Sequence, residues 1–353
     1  MKSSPLESRH IALGAKLADF GGWQMPIEYP AGGVIAEHTA VRERVGIFDV
    51  SHLGKIWVKG SGALDFVNSI VTNDLNRIGD GQAQYSLLCN ENGGVIDDLI
   101  IYRFSVNEIF IIPNAANCAT VFEILKREAP AGLQLENAHE KYAVIAVQGP
   151  ESKKLLESFG ITLNLEYMSH GTFEINGVET LICRTGYSGE HGYELLPKIE
   201  NSLTLWDQLA NSGAQICGLG ARDTLRTEMG YPLHGQDLSP TISPVTAGSS
   251  WAVGFDKETF HGANALKIEK ADGSKKKLRG LKLLERGIPR AHMAVIDAGE
   301  VTSGTFSPTL KVGIALALID SKFGIGDQVK IDIRGKETAA EIVRLPFVES
   351  HVK

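Results

Sequence analysis

Residues 93–102 read Gly-Gly-Val-Ile-Asp-Asp-Leu-Ile-Ile-Tyr, an apolar stretch interrupted by two adjacent aspartates. β-Branched residues that follow a Gly-Gly turn predict a strand. Because side chains alternate between the two faces of a strand, Asp97 and Asp98 are expected to point in opposite directions. Asp97 shares its face with Val95, Leu99 and Ile101, and Asp98 shares the other with Ile96, Ile100 and Tyr102. A buried carboxylate is costly unless it is paired, hydrogen-bonded or used in chemistry, so the residues alone leave open a structural role at a strand end or a chemical one.

The segments on either side of this strand predict a protein that mixes helices and strands. Residues 84–89 and a turn at 90–94 complete a hairpin with it. Further strands are predicted at 47–50, 109–112, 142–147, 181–184 and 193–197. Helices are predicted at 31–46, 61–71, 115–127, 151–159, 201–211 and 221–229. Because the two kinds of element mingle up to residue 270, this part is predicted to be α+β or mixed α/β.

The last quarter of the chain has a different pattern. Residues 269–278 are polar and end in three lysines, which favours a solvated linker over a site for an acidic partner. Short strands are then predicted at 280–284, 294–296, 312–318, 328–333 and 339–343. Several short strands with turns between them predict a small antiparallel barrel or sandwich.

Composition narrows the class of protein. A chain of 353 residues with 43% hydrophobic residues is expected to form two or three globular domains. A net charge of −7 argues against a general nucleic-acid binder. The chain has neither an apolar run long enough to span a membrane nor the apolar core of a signal peptide near its first residue, so a cytoplasmic location is expected. The four cysteines and ten histidines show no metal-ligand spacing, which predicts reduced core cysteines and no metal.

Two polar groups are candidates for ligand binding. Glu194 follows the Gly-rich loop 185–192, where its two oxygens could accept the paired N–H donors of a planar pterin while Tyr187 packs on the ring. The alternative is an exposed strand residue. Arg222 and Arg226 lie four residues apart on one helix face, which suits a carboxylate-bearing ligand. An ordinary ion-pair face with Asp223 and Glu228 explains them as well. Gly218–Asp223 begins like a dinucleotide motif but lacks its last glycine.

Seven stretches of the chain become specific when they are taken in order: Phe20–Pro26, Ile47–His52, Gly93–Leu99, Val147–Pro150, Thr185–Glu194, Gly218–Arg226 and Thr302–Leu310. Together they resemble, nearly end to end, the aminomethyltransferase or T-protein family of the glycine cleavage system. The resemblance implies two interleaved mixed α/β subdomains and a C-terminal antiparallel β barrel or sandwich around a central folate channel. Residues 1–50 and 137–270 would form the folate-binding domain, 51–136 the inserted domain with Asp98, and 278–353 the β-rich domain.

The resemblance also implies the reaction and its partners. An aminomethyl group, held as a thioether on the lipoyl arm of an H-protein, would pass to tetrahydrofolate as the co-substrate without a metal. The products would be 5,10-methylenetetrahydrofolate, ammonia and the dihydrolipoyl arm. No nucleic acid or membrane takes part.

By motif position, Asp98 would be the catalytic carboxylate that orients a folate nitrogen and stabilises positive charge on the transferred carbon. A positioned acid or base contributes about 10²–10⁴-fold to the rate of a reaction. Asp97 would then be its structural partner. The other expected folate contacts are Glu194 at the pterin edge, Tyr85, Tyr102 and Tyr187 at the ring, Asn114 and Arg222 as polar contacts, and Arg290 at the glutamate tail. Leu53 stands where many family members have Met, which predicts a slightly altered channel wall.

Two other functions within the same resemblance are weighed against this one. A non-catalytic folate-binding protein of the iron–sulfur assembly type would carry a Lys-Gly-Cys-Tyr-type motif, whereas Cys217 here lies between Ile216 and Gly218. A folate-dependent demethylase acting on a small methylated substrate is the other alternative. The match across the loops favours the aminomethyltransferase.

Overall fold

The N-terminal segment supplies a small sheet and one strand of a larger one. The structure is a computed structural model that describes residues 1–353. The segment contains β1 (Lys2–Ser3), α1 (Glu7–Ala12), β2 (Lys16–Phe20), β3 (Trp23–Glu28), α2 (Gly33–Glu43) and β4 (Gly46–Asp49). β3 lies between β1 and β2 in a three-stranded sheet, which the sequence pattern did not predict.

Residues 56–137 form a five-stranded antiparallel sheet around the aspartate pair. Its elements are β5 (Ile56–Lys59), α3 (Ala63–Ile70), β6 (Gln82–Cys89), β7 (Val95–Ser105), β8 (Glu108–Ile112), α4 (Cys118–Glu128) and β9 (Gln134–Asn137). The strand order is β6-β7-β8-β5-β9, so β7 with both aspartates has a neighbour on each side. The hairpin of β6 and β7 confirms the prediction. Apolar residues of α3 and α4 cover one face of this sheet.

The six-stranded sheet joins β4 to strands that come much later in the chain. This part contains β10 (Ile145–Gln148), α5 (Ser152–Glu157), β11 (His170–Ile175), β12 (Val178–Cys183), β13 (Gly192–Pro197), α6 (Ser202–Asn211), β14 (Gln215–Cys217) and α7 (Leu219–Glu228). The strand order is β11-β12-β13-β10-β4-β14, and only β14 runs parallel to its neighbour. The chain therefore leaves this sheet after β4, builds the five-stranded sheet and returns.

The two larger sheets face each other across one shared core. A cluster of buried residues contains Phe48 and Val144 from the six-stranded sheet side together with Tyr102 and Phe110 from the five-stranded one. Residues 238–262 lead into α8 (Ala263–Asp272), and apolar residues of this segment and of α8 pack against β6 and β7. None of the eight helices is long and apolar enough to cross a membrane.

The C-terminal strands close into an antiparallel barrel, which confirms the first of the two predicted β architectures. They are β15 (Lys276–Leu283), β16 (Ala294–Val295), β17 (Gly299–Ser307), β18 (Val312–Asp320), β19 (Gln328–Ile333) and β20 (Lys336–Val343). Their order around the barrel is β15-β18-β17-β16-β19-β20. The predicted linker at 269–278 is wrong, because α8 continues to Asp272 and β15 begins at Lys276. β17 was not predicted.

A buried carboxylate at the end of α7 holds α2, α7 and the barrel together. Glu228 is fully buried and accepts hydrogen bonds from His38 Nε2 and Arg42 Nη2, both at 2.8 Å, and from the hydroxyl of Ser307. Burial alone would raise the pKa of Glu228. The hydrogen bond and charge of His38, together with the charge of Arg42 and the hydrogen bond from Ser307, outweigh the effect of burial. They hold the pKa of Glu228 at about 2.

Candidate functional site

A cavity of about 420 Å³ opens between the two larger sheets. Its wall receives residues from β6, β7 and β13, from the start of α7 and from the loops after β4 and β8. No residue of the barrel lines it. A volume of this size lies within the usual range for small-molecule sites.

The structure places eight predicted site residues on the wall of this one cavity: Leu53, Tyr85, Asp98, Tyr102, Asn114, Tyr187, Glu194 and Arg222. They come from positions as far apart as 53 and 222 in the sequence. Arg290 is outside this group, because its side chain is exposed and its guanidinium donates to the carbonyl of Gly304 at 2.9 Å. The binding roles of all nine residues stay predictions.

Asp98 is half-buried in the cavity wall, and each of its oxygens receives one donor. The Tyr85 hydroxyl donates to Oδ2 at 3.1 Å, and the Asn114 amide donates to Oδ1 at 2.7 Å. Burial raises the pKa of Asp98 against the opposing effects of these donors and of His234. The carboxylate is thus more basic than a solvated aspartate and has a fixed orientation.

Asp97 points away from the cavity and is fully buried. Its oxygens accept only N–H donors: the backbone N–H of Asn114 at 2.9 Å, the Asn114 side-chain amide at 2.9 Å and the Asn117 side-chain amide at 2.7 Å. Burial, and then the charge of Asp98, raises the pKa of Asp97. The two carboxylates of the opening stretch therefore have different surroundings, as strand alternation predicts.

Glu194 is buried in the cavity wall with one oxygen already paired. The Thr185 hydroxyl donates to Oε2 at 2.6 Å and lies 3.1 Å from the hydroxyl of Tyr102. Oε1 has no hydrogen-bond partner in the protein, and the residue lines the cavity. Glu194 is thus a buried acceptor, which contradicts the alternative of an exposed strand residue.

The two arginines of α7 have separate roles. Arg226 is buried and pairs with Asp223 at 2.7 Å and Asp237 at 2.7 Å, so the ion-pair interpretation holds for it. The expected pairing with Glu228 is wrong, because that carboxylate turns to α2. Arg222 makes no ion pair in the protein and lies over the ring of Tyr187, 4.8 Å from its centre. Burial lowers the pKa of Arg222, and the charge of Glu194 opposes that effect.

Many of the lining residues were not predicted as site residues from the sequence, and four of them are polar or aromatic side chains beside the predicted ones: Trp251, Thr185, His234 and His52. Trp251, 67% exposed, stacks on Tyr85 with ring centres 5.3 Å apart. Thr185 donates to Glu194, and His234 Nδ1 lies 3.0 Å from the side-chain amide of Asn117. His52 is neutral, because burial lowers its pKa to about 3. None of these residues lies in a periodic apolar pattern, since all four are on loops or, for Trp251, a single 3₁₀ turn.

The cysteines and the metal-ligating residue types have no comparable site. All four cysteines are free and buried. Cys217 Sγ lies 3.3 Å from the carbonyl of Gln215 and does not line the cavity. No group of three or more His, Cys, Asp or Glu side chains is placed to hold a metal ion.

Comparison with known proteins matches most of the chain to the two domains of one family. The family model of the GCVT N-terminal domain matches residues 6–257, and that of the glycine cleavage T-protein C-terminal barrel domain matches residues 276–349. The aminomethyltransferase of Parafrankia sp. (strain EAN1pec) is 54% identical over 359 residues, covering 99% of this chain and 98% of the relative. That of Mycobacterium tuberculosis (strain H37Rv) is 53% identical over 354 residues, covering 98% and 96%.

A solved structure agrees with these matches. The glycine cleavage system aminomethyltransferase T from Bartonella henselae superposes with a TM-score of 0.93 at 34% identity and covers 99% of both chains. The chain therefore belongs to the aminomethyltransferase family of glycine cleavage T-proteins.

Proposed function

We propose that this aminomethyltransferase uses tetrahydrofolate as the acceptor of a one-carbon unit carried on the lipoyl arm of an H-protein. In the balanced reaction, the C–S and C–N bonds of the aminomethyl thioether break and two C–N bonds to folate form. The two N–H protons of folate end on the dihydrolipoyl sulfur and on ammonia. The proposal rests on one observation: Asp98, Glu194 and Arg222 line the same apolar-walled cavity, and each retains capacity for a ligand.

The cavity wall fits a pterin. Glu194 Oε1 is free to accept from the paired N–H donors of the pterin edge, while Thr185 fixes the other oxygen. Arg222, which has no acidic partner, can donate to a carbonyl oxygen of the ligand. Tyr85, Tyr102 and Tyr187 supply aromatic surface for the rings. Leu53 adds an apolar contact to the wall.

Asp98 performs the chemical role in this proposal. Tyr85 and Asn114 hold its carboxylate at the cavity surface before a ligand binds, so no reorganisation is needed during the reaction. Its negative charge stabilises the positive charge that develops on the carbon as ammonia leaves. Because burial raises its pKa, the carboxylate is also a better proton acceptor than a solvated aspartate.

Of the two alternatives, the structure gives less support to the assembly-type protein. An assembly-type protein needs an accessible functional cysteine, and Cys217 is 1% exposed within the core. A demethylase of the same fold would use the same folate contacts, so the distinguishing feature is the donor substrate.

One experiment separates these functions. Ammonia release is measured from aminomethyl-loaded, lipoylated H-protein with and without tetrahydrofolate. The proposal predicts a large acceleration by folate and stoichiometric formation of methylenetetrahydrofolate. Folate binding without ammonia release would indicate a binding protein, and one-carbon transfer from small N-methylated amines alone would indicate a demethylase.

A further inference from the structure

The amide of Asn114 connects the two aspartates of β7. Asn114 Nδ2 lies 2.9 Å from Asp97 Oδ1 and 2.7 Å from Asp98 Oδ1. The backbone N–H of the same residue donates to the other oxygen of Asp97 at 2.9 Å. Asp97 therefore holds both the backbone and the side chain of the residue that fixes Asp98.

The chemistry of these groups determines which way the amide faces. Every group that contacts the oxygens of Asp97 is an N–H donor, and the oxygens of Asp98 receive a hydroxyl and an amide N–H, so both aspartates take the NH₂ side of Asn114. If the amide turned over, its carbonyl oxygen would face Asp98 Oδ1 and repel it. The contacts of Asp97 thus select the one amide orientation that donates to Asp98.

Asn117 supports the same arrangement independently. It stands at the start of α4, but its side chain makes no capping hydrogen bond to that helix. Its amide instead donates to Asp97 Oδ1 at 2.7 Å and lies 3.0 Å from His234 Nδ1. The side chain is committed to the aspartate network.

From this geometry we propose that Asp97 is a positioning residue for the transfer reaction, acting on Asp98 through the amide of Asn114. The proposal rests on the function proposed above and adds a role to a residue that does not touch the cavity. Asp97 sets the direction of the catalytic carboxylate, whereas Glu194 and Arg222 hold the ligand. Its loss is therefore expected to reduce turnover and leave folate binding unchanged.

Asp97→Asn is the most informative substitution because it keeps the size of the side chain. An amide has one NH₂ group, which must face either the backbone N–H of Asn114 or the two side-chain amides that now donate to Oδ1. When the new NH₂ group faces the two side-chain amides, the Asn114 amide turns over to avoid it. This turn removes the hydrogen bond from Asn114 to Asp98. Loss of a hydrogen bond to a charged group predicts a fall in kcat of about tenfold to a hundredfold, with an unchanged KM for tetrahydrofolate.

The test is a double-mutant cycle with ammonia release as the readout. Asp97→Asn is measured in the wild-type background and in the Asp98→Asn background. If Asp97 acts through Asp98, it lowers kcat in the first background and changes the residual rate by less than about twofold in the second. The same fold-change in both backgrounds, or no change in either, would overturn the proposal.

Two further variants separate positioning from loss of stability. Asp49→Asn is the matched control, since Asp49 is also a buried, hydrogen-bonded aspartate but lies outside the cavity wall. Asp49→Asn is expected to keep the wild-type kcat even where it lowers the melting temperature as much as Asp97→Asn does. Asn117→Ala removes one donor to Asp97 without removing a helix cap, and is expected to lower kcat about twofold to tenfold. Wild-type kcat in Asn117→Ala together with low kcat in Asp49→Asn would contradict positioning.

The controls also separate this proposal from the function on which it depends. If wild-type protein releases no ammonia from loaded H-protein, the proposed function fails. If wild-type protein is active and Asp97→Asn is equally active, only the positioning role fails. Thermal stabilisation by tetrahydrofolate should be the same in Asp97→Asn and wild type.

Discussion

Replacement of Glu194 by glutamine tests how the cavity recognises its ligand. In Glu194→Gln the Thr185 hydroxyl can still donate to the remaining side-chain oxygen, whereas the second oxygen becomes an NH₂ group. That NH₂ group would face the N–H donors of a pterin and could not accept from them. The fold is expected to tolerate the change, because the only hydrogen bond of the Glu194 side chain is the one from Thr185.

The expected loss follows from the kind of hydrogen bond that disappears. Hydrogen bonds to a charged group contribute about 1.5–3 kcal/mol, so the Kd for tetrahydrofolate should rise about tenfold to a hundredfold. At a folate concentration of about 100 times the wild-type Kd, binding stabilises the wild type by about 2.7 kcal/mol. The same concentration should stabilise Glu194→Gln by only about 0.4–1.4 kcal/mol.

The assay is chemical denaturation with and without folate, together with a direct titration of Kd. Glu190→Gln is the matched control. Glu190 is a buried glutamate of the same loop, but it binds Arg42 and His351 and does not line the cavity. Its replacement should change stability without changing the Kd for folate. An unchanged Kd in Glu194→Gln would refute pterin recognition by this carboxylate.

The remaining predictions concern stability. Tetrahydrofolate at about 100 times its Kd should raise the melting temperature of the wild type by a few degrees, through about 2.7 kcal/mol of linkage, and no shift at saturation would contradict the folate proposal. The lowered pKa of Glu228 contributes stability that is present above pH 4.5 and lost as pH falls toward 2, by about 3 kcal/mol. Glu228→Gln should therefore unfold more easily at neutral pH and show a weaker loss of stability between pH 4.5 and 2 in denaturant titrations. An unaltered acid profile in that variant would refute the role of its charge.

Sequence patterns predicted the elements that bury a continuous apolar face. The strand at 93–102, the hairpin before it and the apolar stripe of α3 follow directly from alternation and helical spacing. The pattern does not predict β17, because its buried residues include Thr302 and Ser303. The hydroxyl of Thr302 donates to the carbonyl of Leu316, and that of Ser303 donates to Asp237. A buried hydroxyl with a partner looks like a surface residue in a hydropathy pattern.

The polar stretch 269–278 resembles a linker in sequence for a related reason. Most of its side chains are exposed, as those of a linker would be, while its backbone forms the end of α8 and the beginning of β15. The barrel strand buries only one side, with Leu278 inward and Lys276 in solvent. Exposure of side chains and absence of secondary structure are separate properties, and composition reports the first.

In the candidate site, too, the sequence predicts some features and leaves others unpredicted. Alternation separated Asp97 from Asp98, and the ordered motifs identified the residues that the cavity brings together. The bridge formed by Asn114 and Asn117 could not be predicted, because both residues follow a different strand and their amides meet β7 only in the folded protein. Trp251 could not be predicted either, since it reaches Tyr85 from a segment far away in the sequence.

The most direct test of the account is the rate of ammonia release by Asp98→Asn. Aminomethyl-loaded H-protein and saturating tetrahydrofolate are supplied, and folate binding is verified in the same preparation by thermal stabilisation. Because a positioned acid or base contributes about 10²–10⁴-fold, the variant should bind folate like the wild type and release ammonia at least about a hundredfold more slowly. Turnover close to that of the wild type would contradict the assignment of Asp98 as the catalytic carboxylate.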